Sequence, residues 1–338
     1  MQASVPRRCD QAMAELNLVQ AVNLALARAL LDDPDVVLFG QDIGIHGGVF
    51  RATEGLYQRF GGKRVIDTPL DEMTIGGLAV GMATQGLKPV CEIQFIGFIY
   101  PVLDNLANHA GRMRTRTRGR LSCPLVVRTT HGGLVRAPEH HSDSVEALLA
   151  HMPGLRVVIP SSPRQAYGLL LAAIRDPDPV VFLEPTRLYR AFREEVDDDG
   201  MAAALDRCIV TGEGADLTLV AWGAMHADAR AARDELLQRG ISAEVIDVAT
   251  LKPFDADTLL ASVEKTGRCV IVHEAARTCG FGAEIAAIIS ERAFPALLAP
   301  VERVTGYDTV VPMPRLEKAY FPDKRRIIEA CERVMRYG

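Results

Sequence analysis

The sequence lacks the features that would place a chain in a membrane or in a secretory compartment. It has no run of about 18 uncharged apolar residues, the length that a helix needs to cross a bilayer. The first residues include no apolar core of signal-peptide length. The seven cysteines are odd in number and widely spaced, with no CxxC pair, which argues against a disulfide framework and against structural zinc. We therefore expect a cytoplasmic protein with reduced thiols.

An excess of charge of one sign is also lacking. The 38 Lys and Arg residues oppose 43 Asp and Glu residues, and the net charge of -5 gives no attraction to phosphate backbones or anionic lipid. The densest basic run has an arginine at every second position from Arg112 to Arg120, a spacing that spreads the charges around a helix. We interpret the run as a solvated helix end or a subunit contact rather than an RNA-binding strip, and expect neither nucleic acid nor membrane as a partner.

Familiar catalytic and nucleotide-binding motifs are absent as well. The chain contains no GxGxxG, GxxxxGK[ST], GxSxG or HExxH pattern and no kinase signature. The glycine-rich segment 44–48 follows a predicted strand but lacks the spacing that admits a pyrophosphate. These absences argue against dinucleotide and ATP binding and against a serine nucleophile.

The composition is that of a globular protein. With 338 residues, 48% apolar and 24% charged, the chain is long enough for two domains that each bury a core. Buried runs typical of strands alternate with segments of helical periodicity, which predicts an α/β fold with parallel sheets. Strands are expected at 36–40, 65–66, 88–95, 125–129, 156–160, 180–184, 217–222, 242–248 and 268–273, and helices at 17–31, 74–85, 103–113, 144–152, 163–175, 225–238, 255–265 and 282–292.

An acidic, turn-rich stretch divides this alternation. It spans residues 193–214 and is predicted to be a linker. We therefore expect an N-terminal extension at 1–14, a first α/β domain at 15–192 and a smaller second α/β domain at 215–338.

Polar residues that directly follow strands are candidate site residues, because open α/β sheets bind ligands beyond the carboxyl ends of their strands. Glu72 ends such a segment and leads into a helix that contains Gly76, Gly77 and Gly81. From spacing alone, Glu72 is most simply a carboxylate that stabilises a helix N-terminus. The glycines, which weaken a helix, indicate that another backbone or a ligand approaches closely.

Histidines form the other candidates. His131, His140 and His141 lie close together in sequence, and a surface cluster, a proton-transfer histidine and a metal site are all open from spacing alone. His273 and Glu274 end a predicted strand of the second domain, where an ordinary histidine with satisfied hydrogen bonds is favoured over a catalytic one.

Read together, short phrases along nearly the whole chain resemble one family, the β-subunit of the thiamine-diphosphate-dependent 2-oxo acid dehydrogenase decarboxylating component. Individually these phrases are weak, whereas their order over some 300 residues is specific. They are FGQD (39–42), GGVFRATEGL (47–56), RVIDTPLDE (64–72), EIQF (92–95), HSDS (141–144), PGLRVVIP (153–160), EVID (244–247), KTGR (265–268) and GYDT (306–309).

The resemblance implies a transketolase-like pyrimidine-binding domain, a transketolase C-terminal domain, and an α2β2 heterotetramer formed with an α-subunit. Glu72 matches the glutamate that hydrogen-bonds N1′ of the aminopyrimidine and so promotes removal of the thiazolium C2 proton, a task that needs a desolvated carboxylate. Leu70 and Phe98 match contacts to the pyrimidine ring. His141 matches the histidine that assists acyl transfer to the lipoyl group, whereas His131 and His140 have no matching role.

A missing phrase limits what this chain can do alone. The diphosphate and Mg²⁺ of the cofactor need a hard oxygen site, usually marked by Gly-Asp-Gly, and this chain has no such phrase. The resemblance therefore implies that the α-subunit holds most of the Mg²⁺ site, and that the present chain is active only with that partner.

Two further sites follow from the resemblance alone. A structural monovalent cation such as K⁺ would be held, largely by backbone oxygens, near Leu125, Ala173, Ile174, Asp176 and Asp178, where Asp178 replaces the Asn common in related chains. The second domain would dock the lipoyl acyltransferase core of the complex, with acidic contacts expected among Glu284, Glu291 and Glu302.

The substrate is left open between pyruvate and a branched-chain 2-oxo acid, because residues 136–143 resemble pyruvate-specific chains and residues 304–309 resemble branched-chain ones. The expected reaction is decarboxylation followed by reductive acylation of lipoyl. An acetoin-cleaving or transketolase-like thiamine enzyme subunit and a non-catalytic assembly subunit are the alternatives.

Overall fold

The computed structural model describes residues 14–137 and 139–337. Its strands are β1 (Ala14–Leu16), β2 (Val36–Gly40), β3 (Val65–Asp67), β4 (Lys88–Ile93), β5 (Val126–His131), β6 (Arg156–Val158), β7 (Val180–Pro185), β8 (Glu194–Val196), β9 (Ile209–Gly212), β10 (Leu217–Ala221), β11 (Ala243–Asp247), β12 (Thr250–Lys252), β13 (Cys269–Val272) and β14 (Glu302–Val304).

Helices lie between most of these strands. They are α1 (Leu18–Asp32), α2 (Leu56–Phe60), α3 (Glu72–Thr84), α4 (Met113–Arg116), α5 (Glu146–His151), α6 (Pro163–Arg175), α7 (Ala224–Gln238), α8 (Ala256–Thr266), α9 (Phe281–Arg292), α10 (Glu317–Tyr320) and α11 (Lys324–Met335). None of the helices in the described ranges is long and apolar enough to cross a membrane.

The strands form two main sheets and one small ribbon. Within the described residues, the larger sheet has the order β12-β6-β7-β5-β4-β2-β3 and the smaller one the order β14-β13-β10-β11-β9, while β1 pairs with β8. Both main sheets are parallel except at one edge, where β12 lies antiparallel to β6 and β9 lies antiparallel to β11. The predicted α/β class with parallel sheets is confirmed.

Helix boundaries follow from local capping chemistry. Asn17 precedes α1 and forms a reciprocal capping box with Gln20, which satisfies backbone N–H groups that have no partner inside the helix. Ser162 caps α6, whose first residue is Pro163, and this helix spans the predicted range. Asp255 caps α8, and Gly267 ends it in the left-handed conformation that glycine adopts without strain.

The two halves of the chain share a core. Strand β12 belongs to the second half of the sequence but completes the edge of the larger sheet, beside β6. The largest apolar cluster accordingly combines Val157 and Ile159 of the first half with Trp222, Val248 and Leu251 of the second. Two further clusters lie mainly within one half each, so the chain has a core in each half and, between the sheets, an apolar layer that both halves share.

The helix expected at 103–113 is a series of short turns of different pitch. A 3₁₀ turn at Tyr100–Val102 is followed by a π-helical segment at Asn105–His109, a second 3₁₀ turn at Ala110–Arg112, and α4. The change of pitch accompanies a close backbone contact: a Cβ atom added to Gly154 would lie 2.0 Å from the carbonyl oxygen of Gly111.

The predicted linker at 193–214 contains two strands, β8 and β9, and is tied to the first half of the chain. Asp198 accepts hydrogen bonds from Arg28 Nε at 2.8 Å and from the Tyr167 hydroxyl at 2.9 Å. An acidic residue of the predicted linker thus forms hydrogen bonds with side chains of α1 and α6.

A buried group of charges links three central strands. Arg128 of β5 donates from Nη1 to Glu92 of β4 at 2.9 Å, and from Nε and Nη2 to the two oxygens of Glu184 of β7 at 2.7 and 3.0 Å. Burial alone would lower the pKa of Arg128, but the two carboxylates raise it. Burial raises the pKa of Glu92, although Arg128 opposes this change. Each of the three buried charges is therefore stabilised by the opposite charge beside it and not by water.

Arg128→Met should destabilise the protein by about 3–5 kcal/mol, because it leaves two buried carboxylates without their counterion. Urea unfolding at neutral pH measures this change. Arg325→Ala is the matched control, since its ion pair with Glu329 is exposed and worth at most about 1 kcal/mol. Equal effects of the two substitutions would show that the buried charges contribute no more than a surface pair.

Candidate active site

The predicted site residues follow neighbouring strands of the larger sheet, at the end of the sheet where the carboxyl ends of these strands lie. Strands β3, β2 and β4 are neighbours and run parallel, so their carboxyl ends lie side by side. Leu70 and Glu72 follow β3, and Phe98 follows β4. The three residues that the resemblance assigns to the cofactor therefore all follow strands whose carboxyl ends lie at the same end of one sheet.

Glu72 is the first residue of α3 and is only partly buried. The preceding Asp71 caps the helix by accepting from the backbone N–H of Thr74 at 3.1 Å and from its hydroxyl at 2.5 Å, and these hydrogen bonds lower the pKa of Asp71. Asp71 therefore fulfils the helix-capping role that spacing alone allowed for Glu72. In the described part of the chain, no donor pairs with the Glu72 carboxylate, which is left available to a ligand.

Asp67 holds the glycine-rich loop in place at the same edge. Its carboxylate accepts from the backbone N–H of Gly44 at 2.6 Å and of Ile45 at 3.2 Å. Gly47 and Gly48 adopt positive φ values of 73° and 78°, which glycine tolerates without steric cost. These hydrogen bonds hold the loop against the end of β3.

Apolar side chains surround Glu72 in sequence and remain exposed. Leu70 is 67% exposed and Met73 59% exposed, although both flank a carboxylate that would need a dry environment to bind a ligand. The exposed apolar rim, as we call this set, comprises Ile45, Val49, Leu70, Met73 and Leu78. A monomer leaves this rim in water.

His141 lies in an aromatic cluster next to Phe98. Its ring is 4.2 Å from that of Phe95 and 5.3 Å from that of Phe98, with edge-to-face geometry in both pairs. Nδ1 of His141 lies 2.7 Å from the carbonyl oxygen of Glu139, which can only accept, so Nδ1 donates this hydrogen bond. The contact occupies Nδ1 and leaves Nε2 as the ring nitrogen available for proton transfer.

The other two histidines of this group differ from His141. His131 is buried, with Nε2 3.1 Å from the carboxylate of Glu146, which also accepts from Trp222 Nε1 at 3.3 Å. Burial would lower the pKa of His131, but Glu146 raises it. His140 is exposed and its ring stacks on Tyr100. His131 is thus part of a buried polar network that includes Glu146 and Trp222, neither of which was singled out in the sequence.

His273 is fully buried and stacks on Trp222, with ring centroids 5.3 Å apart and planes within 10° of parallel. Within residues 14–137 and 139–337, neither of its ring nitrogens has a hydrogen-bond partner. Burial lowers the pKa of His273 to about 4, so the ring is neutral near pH 7. The sequence favoured an ordinary histidine with satisfied hydrogen bonds here; the ring is packed in the core, but the part of that expectation that concerns hydrogen bonds is wrong for the described residues.

The expected cation ligands lie around the start of β5 and the end of α6. Their carboxylates already have counterions: Asp178 pairs with Arg114, and Asp176 pairs with Arg156 at 3.0 Å. A cation at this position would therefore rely on main-chain oxygens, and the side chains fit it poorly.

The acidic residues expected to contact the acyltransferase core are spread over the smaller sheet and α9. Glu302 accepts three hydrogen bonds from Arg333, at 3.0, 3.2 and 2.7 Å. Glu284 lies in the first turn of α9, and Glu291 is exposed near its end. The three carboxylates do not form one compact cluster of interacting groups.

Comparison with known families defines the class of this fold and site. The family described as "Transketolase, pyrimidine binding domain" matches residues 14–191, and "Transketolase, C-terminal domain" matches residues 206–327. A solved structure titled "Split gene transketolase, inactive beta4 tetramer" shares the fold, with a TM-score of 0.79 at 23% identity over 96% of this chain and 99% of that chain. The protein is a transketolase-like chain with both of these domains.

Closer relatives define the family within that class. The pyruvate dehydrogenase E1 component subunit beta of Bacillus subtilis is 48% identical over 325 residues, which cover 96% of this chain and 100% of the relative. The subunits of the same name from Staphylococcus epidermidis and Staphylococcus aureus are 49% and 47% identical over the same coverage. The chain belongs to the family of pyruvate dehydrogenase E1 component β-subunits, and the resemblance stated from the sequence is confirmed.

The buried His273 predicts a pH-dependent stability. Its folded pKa lies below the ordinary value of 6.5, so the unfolded chain binds a proton that the folded chain does not, and stability falls as pH decreases from about 6.5 towards 4. His273→Phe should make this decline shallower by up to about 1.4 kcal/mol per pH unit. Urea unfolding at pH 7, 6 and 5 measures the slope.

The matched control is His151→Phe, because His151 is exposed. This substitution should leave the slope as in the parent protein. An unchanged slope in His273→Phe would contradict the assignment of His273 as a buried neutral group.

Proposed function

We propose that this chain is the β-subunit of a pyruvate dehydrogenase E1 component and acts with an α-subunit. In the reaction, the bond between C1 and C2 of the 2-oxo acid breaks, CO2 leaves, and a lipoyl disulfide is reduced to a dithiol with one sulfur acylated. The observation that carries the proposal is the Glu72 carboxylate at the start of α3, which is partly exposed and has no donor among the described residues. Glu72 and Phe98 both follow strands at the carboxyl end of the larger sheet. The names of the relatives support pyruvate over a branched-chain substrate.

The residues at this edge fit the pyrimidine half of thiamine diphosphate. Glu72 offers a carboxyl group that can hydrogen-bond and exchange a proton with ring nitrogen N1′, and Leu70 and Phe98 offer apolar contacts to the ring. When bound, the cofactor supplies the carbon nucleophile for the 2-oxo acid. Glu72 binds and orients the aminopyrimidine through its carboxylate, and the chain offers no Gly-Asp-Gly phrase for the diphosphate and Mg²⁺, which we assign to the α-subunit.

The exposed apolar rim supports an obligatory partner. Glu72 can act on a ring nitrogen only if water is excluded, and this chain leaves the surrounding Leu70 and Met73 in solvent. A protein surface that covers the rim would dry the site and bury these side chains together. We assign this role to the α-subunit, in an α2β2 heterotetramer that serves a lipoyl acyltransferase core.

His141 has the geometry for proton transfer to the lipoyl group. Its Nδ1 donates to the Glu139 carbonyl, and its Nε2 can accept a proton or return one. The aromatic contacts with Phe95 and Phe98 fix the plane of the ring. We therefore assign to His141 the proton transfers that accompany acylation of the lipoyl sulfur.

A monovalent cation such as K⁺ is a further proposal, held by main-chain oxygens of Leu125, Ala173 and Ile174 close to Asp176 and Asp178. Oxygen ligands suit such an ion. The ion pairs of the two carboxylates with Arg156 and Arg114 leave the side chains a minor role.

Glu72→Gln should reduce pyruvate decarboxylation by about 10²-fold or more in the complex reconstituted with the α-subunit, because the amide cannot take the proton role of the carboxylate. Turnover with an artificial electron acceptor measures this loss, and the chain without its α-subunit should give none. Glu264→Gln, at an exposed position of α8, is the control and should keep parental activity. A fully active Glu72→Gln complex would overturn the proposal and favour an assembly subunit.

His141→Ala should separate the two halves of the reaction. Decarboxylation measured with the artificial acceptor should stay within about twofold of the parent, whereas acylation of a lipoyl domain should fall by about 10²-fold, the usual range for loss of a general acid or base. His151→Ala serves as the control. Equal loss in both assays would contradict a specific role in acyl transfer.

A further inference from the structure

The backbone that leads to His141 is strained. In the described residues between β5 and α5, Leu134, Arg136 and His140 adopt positive φ values of 61°, 56° and 72°. Residues with a side chain rarely adopt this conformation, and they keep it only where surrounding contacts over-determine it. We call residues 132–137 together with 139–141 the histidine segment. Its shape must be held by contacts from elsewhere in the fold.

Two buried carboxylates from the second half of the chain make such contacts. Glu274, which follows β13, accepts from the backbone N–H of Gly133 at 2.9 Å. Glu317, the first residue of α10, accepts from the backbone N–H of Val135 at 3.1 Å and of Arg136 at 3.3 Å. Both carboxylates are only 4% exposed. Each therefore satisfies donors of the histidine segment in a place that excludes water.

The packing around these hydrogen bonds leaves no room for a side chain at two glycines of the segment. A Cβ atom added to Gly132 would lie 2.2 Å from Glu274 Oε2, and one added to Gly133 would lie 2.1 Å from the ring of Phe321. Phe321, like the two carboxylates, belongs to the second half of the chain. The segment is thus clamped by contacts that involve Glu274, Glu317 and Phe321.

The clamped backbone ends at the proposed acyl-transfer group. Downstream of Arg136, the segment reaches Glu139, whose carbonyl fixes the tautomer of His141. A displacement of about 1 Å at a reacting group can cost on the order of 10²-fold in rate. The backbone N–H of Gly132 also donates to the carbonyl oxygen of Asp143 at 3.1 Å, two residues after His141, so contacts that fix Gly132 and Gly133 bear on the backbone beside the imidazole.

We propose that Glu274 and Glu317 are positioning residues for acyl transfer, which they serve by clamping the histidine segment so that His141 meets the lipoyl group in a reactive orientation. The positioning proposal rests on the proposed function and extends it. Residues of the second half of the chain would influence a step that His141, in the first half, carries out. Neither carboxylate contacts the reacting atoms.

The test uses the complex reconstituted with the α-subunit and compares the two partial reactions. Glu274→Ala and Glu317→Ala should each slow acylation of a lipoyl domain by about 10- to 100-fold, and should leave decarboxylation with an artificial acceptor within about twofold of the parent. Glu274→Gln should restore acylation, since the amide oxygen can accept from Gly133. Glu264→Ala is the matched control at an exposed site.

A double-substitution cycle shows whether the carboxylates act through His141. In the His141→Ala background, Glu274→Ala should slow acylation no further, because its effect is already contained in the loss of the imidazole. Hydrogen exchange provides a second measurement that does not depend on activity. The amide of Gly133 should exchange faster in Glu274→Ala, and the amides of Val135 and Arg136 should exchange faster in Glu317→Ala. In Glu274→Gln, the amide of Gly133 should exchange at the parental rate.

Several results would overturn the positioning proposal: equal losses in both partial reactions, additive effects with His141→Ala, or unchanged exchange of these amides. If Glu274→Ala does not fold, Glu317→Ala decides the outcome. Slow acylation in His141→Ala together with parental acylation in both alanine variants would reject the clamp and leave the proposed function intact. Parental acylation in His141→Ala would instead reject the role of His141, and with it this proposal.

Discussion

The ion pairs of Arg128 with Glu92 and Glu184 support the aromatic cluster of the candidate site from within the larger sheet. Glu184 also accepts from the hydroxyl of Tyr189 at 2.6 Å, and Tyr189 packs against Phe50, which in turn packs against Phe95 and so leads to His141. Buried charges keep this arrangement only while each has its partner. The position of the aromatic cluster therefore depends on electrostatic contacts inside the sheet as well as on apolar packing.

The proposed cofactor site at the carboxyl end of the larger sheet is open to solvent on this chain. Glu72 has an available carboxylate and suitable neighbours, yet the apolar rim around it is open to water. Burial of such side chains against a partner is favourable, because it removes apolar surface from water. The proposed α-subunit would therefore supply both the rest of the site and the cover for these side chains.

Much of the larger architecture could be predicted from the sequence, because long apolar runs and helix caps are local signals. β2 and α6 begin at the predicted residues. The three-residue strands β8 and β12 were missed, since such short segments carry no periodicity and form only by pairing with distant strands. Glu72 and His141 were recognised by resemblance, and the structure supplies their surroundings. Glu317 gave no sequence signal, because its contact with Val135 joins positions 182 residues apart.

The return of β12 to the larger sheet has a consequence for the order in which the molecule is built. While the nascent chain leaves the ribosome, β6 can pair with β7, but its outer edge has no neighbour until residues 250–252 have been synthesised. An unpaired strand edge is a template for association with other chains. The first half of the protein is therefore exposed to misassembly during translation of the roughly 65 residues between β7 and β12, and a chain truncated before β12 would carry that open edge permanently.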